Sequence, residues 1–474
     1  MLAIAIKYCI LVFRMDTKLL TAIAYNCILA LSSKEGIFAS SRQEVYGCVF
    51  GRDTSITVLK LLNTYAQTKN VKILEIAKNA LETLVSLQGK EFNIESGEEP
   101  GKCIHEYREE GYERLLTGDR PWYLYPDKKL RNYDSIDATP LMLIALHKYH
   151  EVSNDEEFHL RSLTAIEAGL RWVMNYGDKD NDYLIEYELH KDRKCGGLTV
   201  QSWTDSTECF LGKERNFPLY PIAAVEVQAI SWLALKMWAD VYQRYSPTFA
   251  RELLSYASKM KKVFNHHFII EDNEHFFAAQ ALDGQKNQIK TITANPLLCL
   301  WASYIKNGKR ESILDESYVP HFVNRVFKED LFIPGAGIRT MSSFSQTFDP
   351  SPSSYHNGSF WPMLNGLIHE GLLKWGYIDE AEKLKKATLE PILKFGCPIE
   401  LYTRDENGEL LEYTSPSGHK GCRYQAWSAA AVLDLVSRES RTLETRQAPA
   451  FETIDLKQEQ ICQQKSLRKI NLFL

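Results

Sequence analysis

Three features of the chain point to one fold class. Apolar residues recur at helical spacing in segment after segment, as at Val225, Ala229, Trp232 and Leu233, which are i, i+4, i+7 and i+8. Read between breaks at Gly, Pro and Asn/Asp clusters, twelve such segments fall near 16–33, 52–68, 71–88, 137–152, 159–176, 219–245, 246–266, 290–307, 311–325, 359–375, 377–395 and 424–439. Their connections are mostly short within a pair, whereas long polar, aromatic and glycine-bearing loops at 89–136, 177–218, 326–358 and 396–423 separate one pair from another. Six helical hairpins can close into a ring with inner helices lining a core and outer helices shielding it. The expectation is an all-α chain, an (α/α)6 barrel with its pocket at the long-loop end. An open superhelix of helix pairs is the competing arrangement, but no self-similarity at a period of 34 to 47 residues supports it.

The flanks of this block read differently. Residues 1–15 are apolar with Lys7 in the middle of the run, too short to span a bilayer and without a small-residue cleavage site. They serve as an amphipathic lead-in, or Met15 is the true start. From 440 to 474 the chain turns polar and loses helical periodicity, so the barrel is placed at 16–439 with a tail behind it.

Composition excludes several classes of function. At 474 residues, with 45% hydrophobic and 25% charged side chains, the chain has the make-up of a soluble globular protein. A net charge of −5 with no basic cluster lacks the electrostatic footprint of a nucleic-acid binder. The 10 cysteines show neither a C-x-x-C pair nor metal-ligand spacing, which reads as reduced, buried thiols and a cytoplasmic setting.

The richest loop is Gly196-Gly-Leu-Thr-Val-Gln-Ser-Trp-Thr-Asp-Ser-Thr-Glu208, which follows the fifth helix and sets Asp205 close to Trp203 and directly before Ser206. It offers a proton donor, a stacking surface and hydrogen-bond partners. A second anchor is Cys397-Pro-Ile-Glu-Leu-Tyr402, between the eleventh and twelfth helices, where Glu400 sits among apolar neighbours. Two loop carboxylates half a ring apart face each other across the barrel mouth. Glycoside hydrolysis asks for such a pair, ~6.5–9.5 Å apart for inversion, and needs no metal or cofactor beyond water. Glu412 is the rival to Glu400.

Eight motifs then run in one order through residues 47 to 430: Phe50-Gly-Arg-Asp53, Pro100-Gly-Lys-Cys-Ile-His-Glu-Tyr-Arg108, Tyr133-Asp-Ser-Ile-Asp-Ala-Thr-Pro140, Gln201-Ser-Trp-Thr-Asp-Ser206, Ala224-Val-Glu-Val-Gln228, Asn357-Gly-Ser-Phe-Trp-Pro362, Pro398-Ile-Glu-Leu401 and Tyr424-Gln-Ala-Trp-Ser428. In these the chain resembles the C-terminal α-1,6-glucosidase domain of glycogen debranching enzymes, within the six-hairpin glycosidase superfamily. The resemblance implies inverting α-glucosidic hydrolysis, with Asp205 in the general-acid position and Glu400 in the general-base position. Its implied substrate is an oligosaccharide or a glycogen-type branch stub; trehalose, an α-1,4-glucan or a mannoside are the sibling choices, and a non-catalytic glycan binder would gain little from two like charges. The transferase barrel that often accompanies the module has no counterpart here, and Pro398-Ile-Glu-Leu-Tyr402 replaces the common Pro-Glu-Leu-Phe form, so complete debranching is not expected of this chain alone.

The remaining motif residues have a structural reading beside the functional one. Arg52 and Asp53 open a helix, where Asp complements the dipole, or grip a terminal glucose. Asp137 caps the next helix or touches ligand. Glu226, two residues before Gln228 on an apolar helix, needs a partner or a polar pocket. His105 and Glu106 lack the second His of a zinc motif and read as sugar contacts or loop structure. Trp122, Tyr123, Tyr125, Trp203 and Trp361 are candidates to stack on sugar rings or to fill the core. Asp178-Lys-Asp-Asn-Asp-Tyr183 imitates a calcium loop but has Tyr where Gly is required, and reads as a turn.

Overall fold

Twelve α-helices run through the described residues: α1 Leu2–Leu31, α2 Gly51–Thr68, α3 Val71–Ser86, α4 Ala138–Ser153, α5 Glu156–Asn175, α6 Val225–Tyr245, α7 Pro247–His267, α8 Leu298–Trp301, α9 Val319–Val326, α10 Pro362–Lys374, α11 Ile378–Phe395 and α12 Ala426–Ser437. This computed structural model describes residues 2–438 apart from 212–215 and 273–274, with side chains from Thr17 onward. Residues 1–438 cluster as one unit. The expected lead-in at 1–15 continues without a break into α1, and the expected tail at 440–474 lies outside the described residues.

Helices α2, α4, α6, α8, α10 and α12 pack side by side in that order, and α12 returns against α2. The ring is closed, and the open superhelix is ruled out. Outside it α3 lies on α2, α5 on α4, α7 on α6, α11 on α10 and α1 on α12, while α9 packs against the turn Asn295–Leu297 that leads into α8. Sequence explains the two layers. Inner helix α6 is buried almost all round, including Val225, Ala229, Trp232, Leu233 and Trp238, as a helix apolar on every face must be. Outer helix α7 buries only Phe249, Ala250, Leu253, Tyr256, Ala257, Met260 and Phe264, one stripe at helical spacing, and turns Lys259 and Lys262 to solvent.

Helix ends follow capping chemistry. Asn70 accepts the amide of Lys72 at 3.0 Å to start α3, Asp155 accepts that of Phe158 to start α5, and Gly396 ends α11 in the left-handed region at φ 67°. Two expected helices come out shorter. The segment 290–307 keeps only one α-helical turn, because Asn307 (φ 49°) and Gly308 (φ 73°) form a tight turn that folds Tyr304–Lys306 back on Lys309–Glu311 as a β-hairpin. The same hairpin delays α9 from 311 to Val319.

The segments that precede the six inner helices pair with one another, so the long loops gather at the N-terminal end of the ring. Short antiparallel ribbons stiffen those loops, among them Val49–Phe50, Glu106–Arg108 and Leu130–Asn132 in one three-stranded sheet. Gly51, at the step from that sheet into α2, has no room for a side chain: a Cβ there would stand 1.9 Å from the carbonyl oxygen of Ile104. The imitation calcium loop is a turn, with Asp178 accepting the amides of Asp182 and Tyr183 and the Lys286 ammonium meeting Asp180, Asp182 and Glu186. Among the described residues no helix is long and apolar enough to cross a membrane.

Candidate active site

The loops that gather at the N-terminal end of the ring take up the first amides of several inner helices: that of Gly51 goes to the His105 carbonyl, that of Val225 to Gln280 and that of Ala426 to Ala39. An open cleft of about 940 Å³ lies there, lined from the loops that precede α2, α4, α6, α10 and α12 by residues including Tyr46, Arg114, Ser206, Tyr355, Glu400 and Tyr413.

The loop before α6 is fastened residue by residue. The Arg52 guanidinium, in the first turn of α2, donates from Nη2 to the Ser202 carbonyl (2.9 Å) and from Nη1 to Asp205 Oδ2 (3.2 Å), while its Nε donates to Asp137 Oδ2 (2.7 Å). Trp203 donates its indole N–H to Asn295 Oδ1 (3.0 Å), and Asn295 Nδ2 donates to Thr204 Oγ1 (3.3 Å) and Glu226 Oε2 (3.4 Å). Ser206 Oγ shares a hydrogen bond of 2.7 Å with His356 Nδ1. Five consecutive residues are thus held from α2, the lead into α8 and the loop before α10. Farther upstream Arg193 clasps Asp134 through two bonds of 2.7 and 3.0 Å, and Gly197 passes so close that a Cβ would meet both groups at 2.2 Å.

Glu400, before α12, is held by neutral donors instead. Tyr355 OH donates to Oε1 at 2.5 Å, the Cys422 amide donates to Oε2 at 2.8 Å, and a 3.1 Å bond links the hydroxyls of Tyr355 and Tyr46. Burial lifts the Glu400 carboxyl to about 7 against the pull of these donors. Burial also lifts Asp205, whose side chain keeps 26% exposure, to about 6, with Arg52 opposing the rise. Tyr46 and Tyr355 both feel the charges of Asp205 and Glu400, which push their hydroxyls further up. Their loops lead into α6 and α12, which are three places apart in the ring of six.

Asp53 and Glu226 are pushed up by burial to about 8. Asp53 Oδ1 accepts from Gln425 Nε2 at 3.2 Å, and Glu226 lies in the wall behind Trp203. His356 is held neutral, at about 3, by burial and the nearby Arg52. His105 stands beneath the cleft with its ring edge-on to Phe50 at 5.4 Å.

Other expected residues do something else. Asp137 sits at the N-cap of α4 without making the cap bond; its carboxylate serves Arg52 and Ser135, and Ser135 Oγ takes the amide of Ala138 instead. Gln228 commits its whole amide to the backbone of Ile185 and Ala224 and offers nothing to a ligand. Glu106 is taken up by Arg108. Trp122 lies against Gly196, away from the cleft. Trp361, 1% exposed, is packed among Trp203, Tyr355, His356 and Trp427 and presents no free face to a sugar. Glu412 pairs with Lys420 (3.3 Å) and Arg423 and does not line the cleft. Reasoning from sequence missed Tyr46 and the pair Tyr355-His356, although the latter stand just before the quoted Asn357-Gly-Ser-Phe-Trp-Pro362 motif.

A closed α/α ring with raised carboxyls at the end where its long loops gather is the frame of a glycoside hydrolase; Glu400 lines the cleft there, and Asp205 stands directly before the lining residue Ser206. In sequence the chain matches the amylo-alpha-1,6-glucosidase family over residues 81–434, and it belongs to that family. No curated protein matches it. Its fold is similar to that of the GH63 mannosylglycerate hydrolase from Thermus thermophilus in complex with glucose, at 14% identity and a TM-score of 0.61 over 88% of this chain and 99% of that one. The same hydrolase in complex with Tris and D-glycerate gives 0.58 over the same shares at 14% identity. A wild-type protein described as a glycosidase is similar at 12% identity and 0.53, over 89% of this chain and 97% of that one.

Proposed function

We propose that the protein is an inverting, exo-acting α-1,6-glucosidase on glycogen or malto-oligosaccharide branch stubs, with Asp205 as general acid and Glu400 as general base. The observation that carries this reading is the placement of the two carboxylates: they stand on loops that lead into opposite positions of the ring, Glu400 lining the cleft and Asp205 directly before the lining residue Ser206. Such a pair protonates the glycosidic oxygen from one side and activates a water on the other. Arg52 keeps Asp205 oriented toward the leaving oxygen while Asp137 shares the guanidinium charge. Tyr355 and the Cys422 amide fix Glu400 so that a lone pair faces the water. Family membership supports the α-1,6 bond, and the barrel alone is equally compatible with other glycosides.

In this mechanism kcat/KM falls on the alkaline side as Asp205 loses its proton and on the acid side as Glu400 gains one. With the groups near 6 and 7, the profile is a narrow bell centred between those values. Because the base is the higher of the two, only a minority of free enzyme holds the productive combination of protonated Asp205 and ionised Glu400.

The test is direct. Panose and isomaltose should be cut faster than maltose or trehalose, and proton NMR in the first minutes should show β-glucose released from the α-linkage. α-Glucose appearing first would overturn inversion, and a preference for trehalose or maltose would overturn the bond assignment.

A further inference from the structure

Glu226 is the second residue of α6, 1% exposed, with a carboxyl Oε1 that has no hydrogen-bond partner among the described residues. A buried carboxyl in an otherwise apolar helix is costly, so its one contact is informative. That contact is Asn295 Nδ2 at 3.4 Å, and Asn295 in turn reaches both Trp203 and Thr204. The orientation of the Asn295 amide is not arbitrary. An indole N–H only donates, so Trp203 requires the Asn295 oxygen, which leaves the Asn295 nitrogen to face Thr204 and Glu226. Reversing that amide would place an N–H against the Trp203 N–H, and in the orientation present a Glu226 oxygen accepts from the Asn295 nitrogen. Arg52 holds Ser202 and Asp205 at either end of the same stretch, so the two residues between them depend on Asn295 alone for side-chain hydrogen bonds. The cleft wall carries Ser206, while Glu226 lies behind it.

We infer that Glu226 is a positioning residue for the acid loop: through Asn295 it fixes Trp203 and Thr204, and thereby the direction in which Asp205 presents its proton. This rests on the reading of Asp205 as general acid, and it replaces the expectation that Glu226 touches sugar. Glu226 takes no part in bond making, and the proton delivered to the leaving oxygen comes from Asp205.

The experiment compares Glu226→Leu, Glu226→Gln and Asn295→Ala in the full chain. Glu226→Leu should lower kcat on panose, on the order of 10²-fold for an acid displaced by about 1 Å, leave KM nearly unchanged, and lose far less on an aryl glucoside that needs little protonation. Glu226→Gln keeps an oxygen facing Asn295 and should recover most of kcat. The double variant Glu226→Leu with Asn295→Ala should be no worse than the poorer single one. Independently of any substrate, amide hydrogen exchange should rise across 200–210 in Glu226→Leu and Asn295→Ala and stay as in wild type in Glu226→Gln. Unchanged exchange there, or a rise in KM with equal loss in Glu226→Gln, would overturn the proposal. Altered exchange with no cleavage of any glycoside would instead count against the proposed function and leave the loop contact standing. Asn295→Ala probes the same contact from its other side should Glu226→Leu not fold.

Discussion

Toward the C-terminal ends of the inner helices, Lys60 is fully buried and donates to Glu370 (2.7 Å), Asp434 (3.0 Å) and the Gly366 carbonyl (3.0 Å), and Arg438 closes on Asp434 at 2.7 Å. Burial alone would raise both carboxyls, yet Lys60 and the other cations hold Glu370 well below the usual range and Asp434 below it. At the loop end the balance is reversed. Burial raises Asp53, Asp205, Glu226 and Glu400, and only Arg52 among the described cations bonds to Asp205. The far end completes its charges and serves stability; the loop end leaves its carboxyls able to exchange protons.

The largest test of that contrast is removal of either proposed proton-transfer group. Asp205→Asn and Glu400→Gln should each fold normally and lose ~10³-fold or more in kcat, since proton transfer alone is worth ~10²–10⁴-fold; Asp205→Asn should regain much of its rate on a substrate with a good leaving group. Native-like turnover in either variant would erase the distinction between the two ends at that residue. Lys60→Met reverses the pattern. It should cost about 3–5 kcal/mol by leaving Glu370 and Asp434 unpaired, with kcat little changed in the folded fraction. Because those carboxyls titrate low in the fold, their stabilisation is present above their unfolded values and lost as pH falls, so denaturation curves of variant and wild type should converge below about pH 4.

Tyr355→Phe sharpens the account of the loop end. Loss of a donor that opposes the rise of Glu400 should move its titration up; because Glu400 is the higher of the pair, the kcat/KM bell should lose height and its alkaline break should move to higher pH while the acid break stays. An unmoved alkaline break at unchanged height would separate Tyr355 from the base. Glu412→Gln should have the smallest effect, within about 1 kcal/mol of stability for a partly exposed pair and little in kcat, and a dead variant there would overturn the assignment of Glu400.

Periodicity made the ring legible in sequence because every described helix but the four-residue α8 buries residues at helical spacing, whether on one stripe or all round. It failed around α8, where Asn307-Gly308 imposed a local hairpin that an apolar count does not register. The two carboxylates were legible because each stands on a polar loop between long helices. Their partners were not. Tyr46 reaches Glu400 only through Tyr355, and Gln228 looked available until its amide was found bonded to Ile185, 43 residues away. Asp137 matched the pattern for a cap, but the buried Arg52 guanidinium took one of its oxygens and the Ser135 hydroxyl the other in place of the helix amides.

The closure of α12 against both α1 and α2 has a consequence for the order of folding. That last stave joins segments separated by nearly the whole described chain, so the loop-closure entropy of the ring falls on this step. The proposed base enters with the same segment. A partly folded chain lacking that stave would carry Asp205 and Arg52 but no Glu400, so recovery of turnover during refolding should lag behind recovery of helical circular dichroism and report the moment at which the ring closes.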